Sequence, residues 1–284
     1  MRVYVLNLAR AVERKQSIER SAALVGVKLD FIEAVDGRLL NDEQRGLVDH
    51  SRRKKITPYL LADGEIGCWL SHRRALQALV DSGQSMAAIL EDDVALCPDF
   101  SNVLNAIQTH GGIFDMVTLH QNFHRRAFIP CRSLVAGTRM GRVRYMQTGN
   151  VGYVITRNAA KAFLAATPRF VHAVDKEMHR YWASKLDIYA LSRPIVVHND
   201  AGHSYLSETR LDHRQQDRIK YPDAGQLHSR LQRLGSKMMD TAAKRLAFPA
   251  YVRLGLNTDW ESRVGKMRKL QIRIHNTLVE RPVR

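Results

Sequence analysis

Apolar runs typical of buried strands alternate along the chain with segments of helical periodicity. Residues 3–8 (VYVLNL) are almost continuously apolar, which favours a strand covered on both faces. Residues 11–25 follow as a predicted helix with Ile18, Ala22 and Val25 on one side. Other short apolar runs predict further strands at 29–35, 86–90, 114–119, 151–155, 187–191 and 194–198.

Further helices are expected at three places in the chain. The longest is predicted over residues 64–82, where Asp63-Gly64-Glu65 supplies a start and Ser82-Gly83 a stop. The others are predicted from Asn158 onward and over 174–184. The longest helix carries one apolar stripe, formed by Ile66, Trp69, Leu76, Leu79 and Val80.

The alternation of strands and helices predicts an α/β domain over residues 1–224, with a mainly parallel sheet. The polar stretch 41–62 is expected to be an exposed loop. Its basic run from Arg52 to Lys55 is interpreted as a solvated surface. No stretch approaches the ~18–20 apolar residues of a membrane-spanning helix, and the polar N-terminus does not resemble a signal peptide. A cytoplasmic location is therefore expected.

Positive charge is concentrated at the C-terminal end. Residues 225–284 hold 13 Lys and Arg against 4 Asp and Glu, which is +9 of the total net charge of +16. Two basic amphipathic helices are expected in this extension. Either they pack on the domain, or they attach the protein to an anionic membrane surface. The first helix has an apolar face of Leu227, Leu231, Leu234 and Met238, and the second has Val264, Met267, Ile274 and Leu278.

Three widely spaced cysteines, Cys68, Cys97 and Cys131, argue against a disulfide framework or a structural zinc site. Buried thiols are the expectation, because reduced cysteine behaves as a small apolar side chain.

An acidic triplet, Glu91-Asp92-Asp93, follows directly after the predicted strand at 86–90. Ligands bind beyond the carboxyl ends of strands in open α/β sheets. Adjacent carboxylates repel one another unless a cation or hydrogen-bond donors offset the repulsion, and oxygen ligands suit Mg²⁺ or Mn²⁺. Such an ion could also neutralise a leaving diphosphate. Taken alone, the triplet is equally compatible with a solvated loop at the end of a strand.

Several segments, in order along residues 1–205, resemble glycosyltransferase family 25. This family includes bacterial lipooligosaccharide galactosyltransferases and animal procollagen galactosyltransferases. GEIGCWLSH followed closely by LEDDV is the most specific part, and the C-terminal extension lies outside the resemblance. The matching segments are VYVLNLARAVERK (3–15), FIEAVDG (31–37), GEIGCWLSHRRAL (64–76), AAILEDDV (87–94), TGNVGYVITRNAAKAFL (148–164) and VDKEMHRYW (174–182).

The resemblance implies a GT-A-like, Rossmann-like fold and inverting transfer of a hexose, most simply galactose, from a UDP-sugar to a lipooligosaccharide or other glycan. It implies Mn²⁺ or Mg²⁺ bound by Asp93, with Asp92 facing the ribose. Glu91 is grouped with the donor-binding residues, although its role stays open because the motif is Glu-Asp-Asp and not Asp-x-Asp. The residues implied around the uridine are Asn7, Arg10, Arg14, Ala34, Val35 and Asp36.

Inversion needs a base that deprotonates the acceptor hydroxyl. Asp175 and Glu177 are the candidates at the family's acidic position, and Asp175 is preferred, with a helix-capping role as the alternative. His72 is expected to be a packing residue or a neighbour of the site. His198 and His203 are weaker candidates for an extra metal ligand.

Three other functions fit parts of the sequence. The basic extension would suit a nucleic-acid-binding protein, but no helix-turn-helix, zinc finger or aromatic RNA platform is evident, and no specific nucleic acid is expected. A metal-dependent phosphohydrolase would need a second carboxylate cluster. The chain could also be a catalytically inactive family member that serves only in binding or as a scaffold. The intact acidic triplet argues against this function.

Overall fold

A computed structural model describes most of the chain, and side chains are described as far as residue 247. The described residues are 1–120, 128–135, 137–143, 149–184, 186–199 and 219–253. His203 and the second predicted C-terminal helix lie outside them.

In the described part of the chain, eight strands form one sheet, and two short strands form a small antiparallel ribbon. The ribbon pairs β4 (Val94–Leu96) with β10 (Val196–His198). The strands of the large sheet are β1 (Arg2–Asn7), β2 (Asp30–Glu33), β3 (Met86–Glu91), β5 (Met116–Thr118), β6 (Phe128–Ser133), β7 (Arg139–Val143), β8 (Gly152–Thr156) and β9 (Ile188–Leu191). Their spatial order is β2-β1-β3-β8-β5-β9-β7-β6.

The sheet is mixed, so the expectation of a mainly parallel sheet is wrong. β1 pairs in parallel with β2 and β3, and β5 pairs in parallel with β9. The other four pairings are antiparallel, because β8 inserts between β3 and β5, and β7 joins β9 to β6. The parallel β2-β1-β3 portion matters most for the site, because its three carboxyl ends lie at one edge.

Within the described residues the predicted helices are present, although the one expected over 174–184 is divided into two, and helices at 42–46, 50–53 and 100–109 were not predicted. The α-helices are α1 (Val12–Leu24), α2 (Asp42–Gly46), α3 (His50–Arg53), α4 (Asp63–Asp81), α5 (Phe100–Thr109), α6 (Arg157–Ala166), α7 (Val174–His179), α8 (Tyr181–Ser184) and α9 (Leu227–Arg253).

Apolar cores lie on both faces of the sheet. Alternate residues of β3 point to opposite sides: Ala87 and Ile89 into the core under α4 and α6, Ala88 and Leu90 into the core under α1 and α5. In the first core the fully buried Trp69 stacks against Phe163 and Phe170. Burial on both faces explains why β3 reads as a continuous apolar run.

The stretch 41–62 is more ordered than the expected exposed loop, since it contains α2 and α3. Arg53, expected in a solvated basic run, is 7% exposed. Its guanidinium donates to the carbonyls of Tyr59 and Val171 at 2.9 and 2.6 Å. Carbonyl acceptors replace the water that the cation loses on burial, which allows this arginine inside.

α9 packs on the domain through its polar side. Asp240 accepts hydrogen bonds from Trp182 Nε1 at 2.8 Å and from Arg180, and Ser229 and Ala247 are buried on the same helix face. The predicted apolar face points the opposite way and is exposed within the described part of the chain: Leu227 71%, Leu231 57%, Leu234 56% and Met238 65%. No helix among the described residues is long and apolar enough to cross a membrane.

Candidate functional site

The carboxyl ends of β1, β2 and β3 converge at one edge of the sheet. Asn7 is in register with Glu33, and Leu6 is in register with Glu91, so the ends of the strands lie side by side. The polar loops that follow these strands therefore meet, as expected for the ligand-binding edge of an open α/β sheet.

The three carboxylates of the triplet do not point together. Glu91 lies on the α4 side, where its Oε1 is 3.4 Å from His72 Nε2. Asp92 lies on the α1 side, where it accepts hydrogen bonds from Asn7 Nδ2 at 2.7 Å and Arg14 Nη1 at 2.8 Å. The alternation of side chains along an extended strand separates the first two carboxylates.

These surroundings set different pKa values for the first two carboxyls. Burial disfavours ionised Glu91, but the hydrogen bond and charge of His72, together with the charges of His120 and His198, outweigh it, so the Glu91 pKa lies below its ordinary value. Burial raises the pKa of Asp92 against the opposing effects of Arg14 and Asn7. Asp92 is therefore a braced carboxyl, held at both of its oxygens.

Asp93 is the carboxylate that fits a cation. Its Oδ1 is buried with no hydrogen-bond partner among the described residues, and its closest described cation is Arg14, with Nη2 3.9 Å from Oδ2. Burial, followed by the negative charge of Glu91, raises the pKa of Asp93 to about 6. An orphaned buried oxygen next to a second carboxylate is a site that a bound divalent cation would satisfy.

A pocket of about 300 Å³ opens beyond β1 and β2. Four residues implied around the uridine line it, namely Arg10, Ala34, Val35 and Asp36. Arg10 Nε donates to Asp36 Oδ2 at 2.6 Å, and this bond holds the Asp36 pKa below its ordinary value. Asn7 and Arg14 turn instead toward Asp92, so the structure divides the predicted donor residues between a pocket and an adjoining braced cluster.

The GEIGCWLSH motif supports this pocket through its small residues. Ser71 Oγ accepts a hydrogen bond from the backbone N–H of Val35 at 2.8 Å. A Cβ on Gly67 would lie 2.6 Å from the Val35 carbonyl oxygen, and one on Gly37 would lie 2.5 Å from that of Asp63. The backbones approach so closely at Gly67 and Gly37 that a side chain would not fit at either position. The sequence analysis did not predict the supporting roles of these glycines or of Ser71.

Asp175 is tied to the loop that leads into β8. Its Oδ2 accepts from the backbone N–H of Gly149 at 2.6 Å, and its Oδ1 accepts from that of Lys176 at 2.7 Å. Gly149 has φ +102°, which other residues rarely adopt. The capping alternative is not supported, because Ala173 occupies the N-cap of α7.

Glu177 points elsewhere. Its Oε1 lies 3.8 Å from Arg180 Nη1, and burial raises its pKa. Of the two candidate bases, Asp175 is the one whose carboxylate accepts a hydrogen bond from Gly149.

The histidines near the triplet were only partly anticipated. His72 is fully buried, with Nδ1 3.0 Å from the Tyr153 hydroxyl. His198 pairs with Val94 across the small ribbon, and its charge acts on Asp93. His120, which the sequence did not single out, lies with Nδ1 3.3 Å from the Gly152 carbonyl oxygen, and burial lowers its pKa. No local pattern could have placed it there, because β8 brings Gly152 to it from a distant part of the chain.

Comparison with known families decides the class of protein. Residues 1–178 match the model of the family described as "Glycosyltransferase family 25 (LPS biosynthesis protein)". The chain belongs to glycosyltransferase family 25. The match includes every predicted site residue from Asn7 to Asp175 and leaves α9 outside it. Membership implies a nucleotide-sugar donor and a glycan acceptor.

Three similar proteins illustrate the range of this family. "Glycosyltransferase 25 family member" of Aedes aegypti is 28% identical over 179 residues, covering 58% of this chain and 28% of that protein. "Procollagen galactosyltransferase 1" of Danio rerio is 26% identical over 177 residues, covering 58% and 28%. "Lacto-N-neotetraose biosynthesis glycosyltransferase LgtE" of Neisseria meningitidis is 28% identical over 196 residues, covering 65% and 69%. The chain thus spans less than a third of the length of these two animal relatives.

Proposed function

We propose that this chain is an inverting, metal-assisted galactosyltransferase with a GT-A-like fold. It would move galactose from a UDP-sugar to a lipooligosaccharide or related bacterial glycan. The observation that carries the proposal is the buried Oδ1 of Asp93, which has no hydrogen-bond partner among the described residues and lies at the same sheet edge as the pocket lined by Arg10 and Asp36. Galactose is chosen from the name of the Danio rerio relative, and the acceptor from the family description and LgtE.

The donor would bind with its nucleoside in the pocket and its diphosphate toward the triplet. A volume of about 300 Å³ is at the small end of ligand pockets, which suits a nucleoside rather than a whole sugar nucleotide. The Arg10–Asp36 pair orients polar groups at the rim, and Asn7 and Arg14 fix Asp92 for contact with the ribose. These contacts support the split of roles inferred from the family.

Asp93 would hold Mn²⁺ or Mg²⁺, with His198, which pairs with the neighbouring Val94, as an additional candidate ligand. When bound, the cation supplies positive charge that stabilises the departing diphosphate. Hard divalent ions take few protein carboxylates and complete their coordination with phosphate oxygens and water. One carboxylate with an oxygen that has no hydrogen-bond partner among the described residues is therefore sufficient on the protein side.

Asp175 would act as the base. Its carboxylate would take the proton of the acceptor hydroxyl while that oxygen attacks the anomeric carbon from the face opposite the diphosphate, whose bond to the sugar breaks. The hydrogen bonds from the Gly149 and Lys176 amides fix its orientation, and each carboxylate oxygen retains a lone pair for the proton. Glu177 supports the surrounding structure near Arg180 instead.

The exposed apolar face of α9 supports attachment to an anionic membrane surface, and hence a peripheral location at the inner face of the inner membrane. The face points away from the domain, and six Lys and Arg residues lie along the same helix: Arg230, Arg233, Lys237, Lys244, Arg245 and Arg253. Apolar residues would enter the headgroup region while the basic side chains attract anionic lipid. This helix would hold the site close to a lipid-linked acceptor.

A UDP-sugar panel tests the proposal. The purified chain would be incubated with Mn²⁺, a lipooligosaccharide acceptor and each UDP-sugar in turn, and released UDP measured. We expect release with UDP-galactose well above the others, and product with a β-linked sugar. A salt-sensitive shift of DNA with no uptake of any UDP-sugar would favour a nucleic-acid-binding protein, and tight UDP-sugar binding without transfer to any acceptor would favour an inactive family member.

A further inference from the structure

A cysteine, a histidine and a glutamate meet on the α4 side of β3, away from the braced carboxyl of Asp92. Cys68 and His72 are one helical turn apart on α4, so they share a face of the helix. Glu91 ends β3 and reaches toward both: its Oε1 lies 3.4 Å from His72 Nε2 and 4.0 Å from Cys68 Sγ. The three ligand atoms all lie within 4.8 Å of one another.

These separations are close to those that a tetrahedral metal requires. Zinc binds sulfur at about 2.3 Å, imidazole nitrogen at about 2.0–2.1 Å and carboxylate oxygen at about 2.0–2.2 Å, which places ligand atoms about 3.3–3.6 Å apart at tetrahedral angles. The nitrogen-to-oxygen distance of 3.4 Å already has this value. The Cys68 sulfur, 4.0 Å from Glu91, would have to move inward by roughly half an ångström relative to that oxygen. The three ligand atoms, which lie within 4.8 Å of one another, would close to the tetrahedral spacing around the ion.

His72 is also oriented as a metal ligand needs to be. The Tyr153 hydroxyl lies 3.0 Å from Nδ1, and the two rings stack with centroids 5.7 Å apart. Tyr153 is itself fixed, because it is fully buried on β8 opposite Ile89. Metal-binding histidines usually donate their other ring N–H to such a partner, which leaves the lone pair of the remaining nitrogen directed at the ion.

We propose that Cys68, His72 and Glu91 form a binding site for a thiophilic divalent cation of the Zn²⁺ class. Thiolate and imidazole select zinc over the magnesium and manganese that suit Asp93. Three protein ligands leave one coordination position for water, and Glu91, whose side chain is 21% exposed, provides the opening to solvent. The ion would clamp α4 to the end of β3 and neutralise Glu91 beside Asp93. This inference does not depend on the proposed transfer reaction.

Cobalt substitution tests the site on the full reduced chain. Co²⁺ bound by a thiolate gives a near-ultraviolet charge-transfer band, and a tetrahedral site gives intense visible bands. We expect both at one equivalent of Co²⁺, and their loss in Cys68→Ser. They should persist in the matched controls Cys97→Ser and Cys131→Ser, whose thiols are also partly buried, and in Asp93→Asn. Absence of the thiolate band, or its persistence in Cys68→Ser, would overturn the proposal.

Protection from alkylation provides a second test that needs no substitution. The wild-type chain would be treated with iodoacetamide with and without Zn²⁺, and each cysteine quantified by peptide mass spectrometry. Zinc should slow labelling of Cys68 by about tenfold or more, because a metal-bound thiolate is a poor nucleophile, and leave Cys97 and Cys131 unchanged. Equal labelling of Cys68 in both conditions would show that the three residues are only a hydrogen-bonded group.

Discussion

Asn7 donates a hydrogen bond to Asp92 across 2.7 Å, and this contact joins the end of β1 to the end of β3. Both residues are buried, and Arg14 occupies the other oxygen of Asp92 at 2.8 Å. The middle carboxylate of the triplet is thereby fixed by the protein, and its neighbour Asp93 retains the oxygen without a described partner. Because Asp92 is held by Asn7 and Arg14, Asp93 is the aspartate of the triplet that we propose for the cation.

Replacement of Asn7 by alanine should destabilise the fold and weaken donor binding. The substitution leaves buried Asp92 with one donor fewer, at a cost of about 1–3 kcal/mol in the free energy of unfolding. Chemical denaturation would measure it, with UDP-sugar affinity measured in parallel. The control is Asn105→Ala on the exposed side of α5, which should change stability by less than about 0.5 kcal/mol. Equal stability of Asn7→Ala and Asn105→Ala would show that the hydrogen bond from Asn7 to Asp92 contributes nothing to the free energy of unfolding.

Asp93 should make the metal-free chain less stable as the pH rises through weakly acidic values. The folded chain keeps the proton of Asp93 up to its pKa of about 6, while the unfolded chain releases it near 3.8. Between these values the folded state binds more protons, so stability falls with rising pH, by on the order of 2–3 kcal/mol.

Asp93→Asn should remove this decline and be the more stable protein above pH 6 in the presence of a chelator. Melting temperatures across the pH range would measure the effect, with exposed Asp81→Asn as the control for loss of one charge. Addition of Mn²⁺ should then raise the melting temperature of the wild-type chain more than that of Asp93→Asn. Identical pH profiles for wild type and Asp93→Asn would contradict the assigned burial of this carboxyl.

Asp175→Asn should reduce transfer at least a hundredfold while UDP-sugar affinity changes less than about threefold. The amide oxygen of asparagine can still accept the Gly149 N–H, so the loop into β8 should keep its conformation. Steady-state turnover and calorimetric donor binding would be measured on the same preparation. Glu177→Gln is the matched comparison and should retain most of the turnover. If Asp175→Asn transfers sugar at near wild-type rates, the base lies elsewhere.

The apolar face of α9 should bind vesicles that contain anionic lipid. Leu231→Glu with Leu234→Glu should lower binding at least tenfold, because burying each leucine contributes about 1.5–3 kcal/mol. Co-sedimentation with phosphatidylglycerol vesicles, and with neutral phosphatidylcholine vesicles, would measure it. Gln16→Glu with Asn102→Glu adds the same charge at exposed positions of α1 and α5 and should have little effect. If both double variants lost vesicle binding equally, the loss would come from the change in net charge and not from the apolar face of α9.

The sequence predicted the elements more readily than their arrangement. Local apolar patterns predict the strands β1, β2 and β3 and the helix α4, because the residues on a buried face recur along the sequence with the period of the helix or strand. The direction of strand pairing leaves no such local trace, so the insertion of antiparallel β8 between β3 and β5 was missed. β6 and β7 were missed because residues such as Arg132, Arg139 and Gly141 interrupt their apolar character.

The candidate site was predicted in the same uneven way. Asp93 and the pocket residues were predicted through a family resemblance carried by motifs, and these motifs include strand ends and the starts of helices. The meeting of Cys68, His72 and Glu91 depends on the packing of α4 against β3, and Tyr153 joins them from β8. Contacts between residues distant in the chain are tertiary, and a single sequence does not encode them in any local pattern.

Titration calorimetry of donor binding, with and without Mn²⁺, tests the central claim that a cation held by Asp93 engages the donor diphosphate. For the wild-type chain, Mn²⁺ should tighten UDP-galactose binding by about tenfold or more, and Asp93→Asn should lose that enhancement while keeping weak metal-independent binding through the pocket. An equal Mn²⁺ effect in both proteins, or no binding of any UDP-sugar to the folded wild-type chain, would contradict the account.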